Sequence, residues 1–249
     1  MVIDTRAIIR TGLTRLPWLA DVKSRAYYGV LRVIRRPFEQ EFEAVRPYLR
    51  PRMLCLDVGA NHGQSIDALV MMEPEVRVVA FEPQPRLYRR LVRRFPPGGS
   101  TTVLPYGVGD RPGRSTLWVP SYNGCAFDGL ATTTDEQSAT DWFSYRIRNY
   151  DPSKVSVETY EIEIVRLDDV VSEPVGFIKL DVQGAELAAL EGAGRILSDD
   201  QPVVMVEQNE PGPIDDYMAT LGYRPHTWRD GALVDGIAEL NTIYLPDQT

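Results

Sequence analysis

Residues 53–63, Met-Leu-Cys-Leu-Asp-Val-Gly-Ala-Asn-His-Gly, constrain this chain more than any other stretch. Met53, Leu54, Cys55, Leu56 and Val58 form a short apolar run of the kind buried on both faces of a parallel sheet. The run ends in a turn bracketed by Gly59 and Gly63, and Ile66, Leu69 and Val70 follow at helical spacing. The stretch reads strand, glycine loop, helix. Glycine lets a ligand approach the backbone closely, and the helix start offers free N–H groups.

Charge selects the ligand. A dinucleotide loop reads Gly-x-Gly-x-x-Gly and presents its helix N-terminus to a pyrophosphate. Here Asn61 stands at the middle glycine and Asp57 ends the strand just before the loop. A carboxylate there disfavours phosphate and suits a ligand with a positively charged portion, such as the ammonium and sulfonium of S-adenosylmethionine. Glu82 ends the next apolar strand, residues 76–82, at the spacing of an acidic partner for ribose hydroxyls. The plainer reading is a glycine turn in an ordinary α/β domain with Glu82 as a surface carboxylate.

The whole chain bounds the fold further. A length of 249 residues suits one α/β domain with extensions. No apolar run approaches the roughly 20 residues of a membrane span, and Asp4, Arg6 and Arg10 interrupt the N-terminal apolar residues, so a cytoplasmic location is expected. Two cysteines, Cys55 and Cys125, indicate neither a disulfide framework nor a zinc cluster, and no metal is predicted. The net charge of −8 divides unevenly, +6 over residues 1–52 and −14 over the rest. Arg6, Arg10, Arg15, Lys23, Arg25, Arg32, Arg35 and Arg36 interleave with Ile8, Leu13, Trp18, Tyr27 and Leu31 in the manner of amphipathic helices. Two readings stay open for this basic extension: peripheral contact with anionic lipid or a lipid-linked substrate, or docking on the sheet or on a second subunit of a homo-oligomer. Nucleic acid is not expected as a partner, because the remainder is acidic and no aromatic and basic motif is present.

Along the chain, strands and helices alternate. A helix over 38–49 leads in; a helix over 85–95 and a strand over 101–106 follow the second strand, and the strand ends in the small-residue loop Gly107-Val108-Gly109, suited to lie against an adenine. A hairpin strand is expected over 115–119. Periodicity fades from 120 to 154, where Trp142, Phe143, Tyr145 and Tyr150 cluster; this insertion reads either as a lid presenting rings to a substrate or as a small core of its own. Residues 155–165 alternate as a half-buried strand, and 167–171 read as a short helix. The strand 177–181 delivers Asp181 and turns through Gly184 into a helix over 186–197. The strand 202–207 ends in Glu207, and a helix over 214–221 precedes an edge hairpin of 223–228 and 242–245. Asp57, Glu82, Asp181 and Glu207 thus sit at four strand ends, where open α/β sheets bind ligands.

Taken together, Leu56-Asp57-Val58-Gly59-Ala60-Asn61-His62-Gly63, Phe81-Glu82-Pro83, Ile178-Lys179-Leu180-Asp181-Val182-Gln183-Gly184-Ala185-Glu186, Leu190-Glu191-Gly192-Ala193 and Val206-Glu207 resemble the FkbM-type family of S-adenosylmethionine-dependent methyltransferases over about residues 50–246. The resemblance implies a class I methyltransferase fold: a Rossmann-like three-layer α/β sandwich with a seven-stranded, mostly parallel sheet whose last strand is antiparallel. It implies methylation of hydroxyl groups, commonly on sugars, glycolipids or natural products. Gln183 departs from the Glu that the family often carries. The expected domains are a helical, basic extension over 1–50 and a methyltransferase domain over 51–249 with a lid-like insertion at about 120–154.

On this reading Asp57, Gly59, Ala60, Asn61 and Gly63 hold the methionine portion of S-adenosylmethionine, Glu82 the ribose, and Gly107 and Val108 the adenine. Asp181 is the first candidate for the base that takes the acceptor's proton, followed by Glu207 and His62, with Lys179 or Glu186 as orienters. Two other classes compete: a nicotinamide-dependent oxidoreductase, opposed by Asp57 and the missing glycine, and a binding or scaffolding protein that retains the fold without chemistry.

Overall fold

The computed structural model describes residues 37–207, 212–238 and 240–247, so most of the basic N-terminal stretch lies outside the described residues. Helix α1 (Phe42–Val45) runs into a 3-10 turn and then strand β1 (Leu54–Val58), helix α2 (Gln64–Met72), β2 (Arg77–Phe81) and α3 (Pro85–Arg94). Next come β3 (Thr101–Leu104), β4 (Tyr106–Val108), β5 (Gly113–Tyr122), β6 (Cys125–Ala126), α4 (Glu136–Arg146) and β7 (Val155–Val165). The remainder is α5 (Leu167–Val170), β8 (Val175–Leu180), α6 (Glu186–Glu191), β9 (Val203–Glu207), α7 (Pro213–Thr220), β10 (Tyr223–Arg229), β11 (Ala232–Asp235) and β12 (Asn241–Pro246).

The main sheet has the order β11-β10-β12-β9-β8-β1-β2-β3. Strands β9, β8, β1, β2 and β3 are parallel, and β12 runs antiparallel to both β9 and β10. This is a class I methyltransferase sheet with one strand beyond the expected seven: β11 adds an outer edge. The two expected C-terminal strands pair antiparallel, but they do not form the edge: β12 lies between β9 and β10 and is wholly buried, and β11 covers β10. Alternate residues of each central strand feed two cores, which makes the three layers. Leu54, Leu56, Val58, Ile178, Leu180 and Val206 pack with Leu190, Ile196 and Met218 on one face. Cys55, Val78, Phe177, Met205 and Ile243 pack with Phe42, Val45, Ile66, Leu69 and Leu91 on the other.

Three expected elements come out differently. The strand expected over 101–106 breaks at Pro105, which has no N–H for a ladder; β4 leaves the main sheet and pairs with β7. The 115–119 strand extends to Tyr122 and pairs with the full length of β7, building a second sheet in the order β4-β7-β5-β6. The helix expected over 186–197 is interrupted after Glu191 and helical structure resumes, ending in a π-helical turn, Ile196–Asp200; at the break Gly192 packs on Gly109, where a β-carbon would lie 2.1 Å from the Gly109 carbonyl oxygen. Within 120–154 the rings turn inward. Tyr122, Phe143 and Ile147 are buried, with Phe127, Trp142 and Tyr150 packed against them, while Tyr145 is exposed. Phe127 meets Phe143 edge-on at 4.9 Å between centroids.

Candidate active site

Loops at the carboxyl ends of β1, β2 and β8 and the inner face of the second sheet enclose a pocket of about 660 Å³, counting its open mouth. The glycine loop forms one wall. Gly59 (φ +87°) lies against the backbone after β8, where a β-carbon would stand 1.9 Å from the Asp181 carbonyl oxygen, so only glycine fits. The Gly59 and Ala60 amides both donate to the Phe81 carbonyl at 3.0 Å, which ties the loop to β2. Gly63 (φ +83°) starts α2 and packs close to Leu91 and Phe95; neither it nor Ala60 lines the pocket.

Glu82 is buried at the end of β2 and lines the pocket. One carboxylate oxygen accepts the Asn61 amide at 2.7 Å and the other the Gln84 amide at 2.8 Å. Each oxygen keeps acceptor capacity. Burial raises the Glu82 carboxyl to about 8 against these two hydrogen bonds, with Asp128 and Asp57 adding to the rise. Two more acceptors at this end of the pocket, Asn61 Oδ1 and Gln84 Oε1, are buried with no partner among the described residues. Such groups are costly unless a ligand donates to them. None of the lining residues is Lys, Arg or His.

Gly107 and Val108 line the pocket beside Tyr106, within β4 rather than in a loop. Leu117, Ala131, Ile162 and Ile164 of the second sheet and its connections supply an apolar cover. Asp128 fastens that cover to the core. Its carboxylate accepts from Gln84 Nε2 at 3.0 Å, from His62 Nε2 at 3.2 Å, and from Arg86. Burial pushes the Asp128 carboxyl up, but the bonds from His62 and Gln84 and the charge of Arg86 outweigh it and hold the group below its usual range. His62 thus faces Asp128 and does not line the pocket.

At the other end, Asp181 lines the pocket just beyond β8. Gln183 Nε2 donates to Asp181 Oδ1 at 2.8 Å and to Glu207 Oε2 at 2.9 Å. Burial and the neighbouring Asp181 carry Glu207 up to about 9. For Asp181, burial is overcome by hydrogen bonds from Glu207 and Gln183 and by the Lys179 charge, so its carboxyl stays low. Lys179 is buried on β8 with its Nζ 3.9 Å from Asp181 and 3.1 Å from Asn241 Oδ1, and it is not a lining residue. Glu186 accepts the Val182 and Gly184 amides and braces the turn after β8. Asp57 is fully buried at the end of β1, beside Lys179 and Ser65, and does not line the pocket. Burial raises it to about 7, against the pull of Lys179. Among the described residues no group of three or more His, Cys, Asp or Glu side chains is arranged to hold a metal ion, and no helix is long and apolar enough to cross a membrane.

The sequence reading missed Gln84 and Asp128. Gln84 had a signal, since it follows the Glu82-Pro83 pair directly; Asp128 is joined to the site only by folding.

The family model described as the methyltransferase FkbM domain matches residues 57–225, a span that runs from Asp57 through Glu82, Asp181 and Glu207. The chain belongs to the FkbM methyltransferase family. Among its relatives, 2-O-methyltransferase NoeI of Sinorhizobium fredii is 28% identical over 153 residues, 60% of either chain. The methyltransferase sdnD of Sordaria araneosa is 24% identical over 235 residues, 82% of this FkbM-family chain and 86% of sdnD. A crystal structure of methyltransferase FkbM from Methylobacillus flagellatus is 17% identical, with a TM-score of 0.49 over 92% of this chain and 60% of that one. This FkbM-family chain therefore spans 60% of the length of NoeI.

Proposed function

We propose that this FkbM-family chain is an S-adenosylmethionine-dependent O-methyltransferase acting on a hydroxyl of a small-molecule or lipid-linked acceptor, with a sugar as the first class to test. One observation carries the reading: one end of the pocket gathers Glu82 with two acceptors that lack partners among the described residues, Asn61 Oδ1 and Gln84 Oε1, and the lining contains no Lys, Arg or His. That set suits ribose hydroxyls and an exocyclic amine and offers no cation to a pyrophosphate, which weighs against a nicotinamide dinucleotide. The name of NoeI supports a hydroxyl acceptor.

Bound S-adenosylmethionine would supply an electrophilic methyl group on a sulfonium. Glu82 would hold the ribose and Gly107 and Val108 would pack on the adenine, while Gly59 leaves the backbone bare for close approach. Leu117, Ile162 and Ile164 exclude water, which preserves the alignment of acceptor oxygen, methyl carbon and sulfur. Asp181, whose carboxyl is held low and which lines the pocket, would take the acceptor's hydroxyl proton, and a base so placed contributes about 10² to 10⁴ in rate. Gln183 orients that carboxylate and Glu207 keeps the second proton.

Calorimetric titration with S-adenosylhomocysteine, followed by transfer of labelled methyl from S-adenosylmethionine to a panel of sugar and lipid-linked alcohols, tests the proposal. We expect saturable binding lost in Glu82→Ala, and transfer lost in Asp181→Asn with binding retained. Absence of binding to the native protein would overturn it.

A further inference from the structure

The turn after β8 that carries Gln183 is held from two sides. Gln183 has φ +53°, in the left-handed region that is costly for a residue with a β-carbon, and Gly184 follows at φ +104°. Such a backbone persists where its surroundings over-determine it. The peptide that joins the two residues is gripped at both of its polar groups. Its N–H donates to Glu186 Oε2 at 2.9 Å, within the turn's own helix α6. Its carbonyl accepts the Thr132 hydroxyl at 2.7 Å, from a residue 51 positions away in the sequence.

Thr132 belongs to the insertion. It is buried, and its backbone N–H and carbonyl both pair with Trp118 of β5, at 3.1 and 2.9 Å, so it is part of the second sheet's framework. The Thr134 amide donates to the Thr132 hydroxyl oxygen at 3.2 Å and fixes that oxygen in place. Thr134 also crowds the turn, since a β-carbon at Gly184 would lie 3.1 Å from its hydroxyl oxygen. The side chain of Gln183 meanwhile bridges Asp181 and Glu207, at 2.8 and 2.9 Å. One residue thus joins the cover through its main chain and the two carboxyls through its amide.

We propose that Thr132 is a positioning residue for Asp181, Gln183 and Glu207: through this hydroxyl the second sheet fixes the amide that holds the two carboxyls. Its effect on turnover rests on the proposed function, and its effect on Gln183 rests on the geometry alone. Without the hydroxyl the Gln183 carbonyl loses its partner, and the 183–184 peptide, followed by a glycine, is free to rotate. Rotation also draws the Gly184 amide off Glu186, because the two groups share one peptide plane. The Gln183 side chain then leaves the carboxyls, and Asp181 loses the donor that aims it. Glu82, at the opposite end of the pocket, has no part in this chain of contacts.

The test uses the full chain. Thr132→Val and Thr132→Ala remove the hydroxyl, the first keeping the branched shape, and Thr132→Ser keeps it. The first measurement needs no substrate: the side-chain amide of Gln183 is followed by heteronuclear amide spectra, assigned through its disappearance in Gln183→Glu. In Thr132→Val and Thr132→Ala its exchange with water should speed about tenfold while the Trp118 backbone amide keeps its position, and Thr132→Ser should match the native protein. The second measurement is labelled-methyl transfer to the acceptor found in the alcohol panel. There kcat should fall about tenfold in Thr132→Val and recover in Thr132→Ser, with KM and S-adenosylhomocysteine affinity within about twofold of native. An unchanged Gln183 amide in the hydroxyl-free variants, or an equal loss of turnover in Thr132→Ser, would overturn the inference and leave the methyltransferase reading standing. Absence of S-adenosylhomocysteine binding to the native protein would overturn that reading, and the amide spectra would still decide the role of Thr132.

Discussion

At the scale of single residues, the buried carboxyl of Asp57 makes stability depend on pH. Its folded carboxyl holds a proton to about pH 7, whereas the unfolded chain releases it near the ordinary value of 3.8. The contribution is intact below pH 3.8, is lost as pH rises through 7, and is a constant penalty above that. Asp57→Asn should therefore match the native protein near pH 4 and exceed it by about 1 to 4 kcal/mol above pH 7 in the absence of ligand. Urea melts at the two pH values check this; a variant less stable than the native protein at pH 8 would contradict it. The opposite economy holds for Asp128, whose low carboxyl is bound by three donors and favours the fold at neutral pH.

At the scale of elements, Asp128 is where the second sheet is fastened over the pocket. It sits in the 3-10 turn after β6 and reaches the glycine loop through His62, the β2–α3 connection through Gln84 and the first turn of α3 through Arg86. Asp128→Asn removes the charge and turns one acceptor into a donor, and each lost charge-assisted bond is worth about 1.5 to 3 kcal/mol. Faster amide hydrogen exchange over residues 125–147 is expected, with about a tenfold loss of S-adenosylhomocysteine affinity; unchanged exchange there would show that the aromatic core around Phe143 holds the cover alone.

These elements also mark what was legible beforehand. Strand, loop and helix around Gly59 follow from local periodicity and glycine spacing, as do Glu82, Asp181 and Glu207 at strand ends. The departure of β4 was hidden, because Pro105 reads equally well as a strand end or as a handover between sheets. The inward turn of Tyr122, Phe143 and Tyr150 depends on partners across the insertion. Asp128 carries no local pattern, since it acquires its role from residues far away in the sequence.

At the scale of the molecule, the family-matched segment is not a complete core. Phe42, Val45 and Leu49 precede it, Ile243 and Leu245 follow it, and all five are buried in the cluster that covers one face of the sheet. Phe42 stands 6.5 Å from Phe177 between ring centroids. Phe42→Ala should cost about 3 to 5 kcal/mol in urea unfolding; a cost below 1 kcal/mol would place residues 37–49 outside the cooperative unit.

The burial of β12 between β9 and β10, with Phe42 sharing its core, has a consequence for biosynthesis. Strand β12 is the last described strand to leave the ribosome, and it fills an interior place that β9 and β10 cannot close without it. Until then Lys179 lacks Asn241 and the face that Phe42 covers lacks Ile243. A nascent chain carrying every residue of the glycine loop would still lack the strand that closes the sheet between β9 and β10.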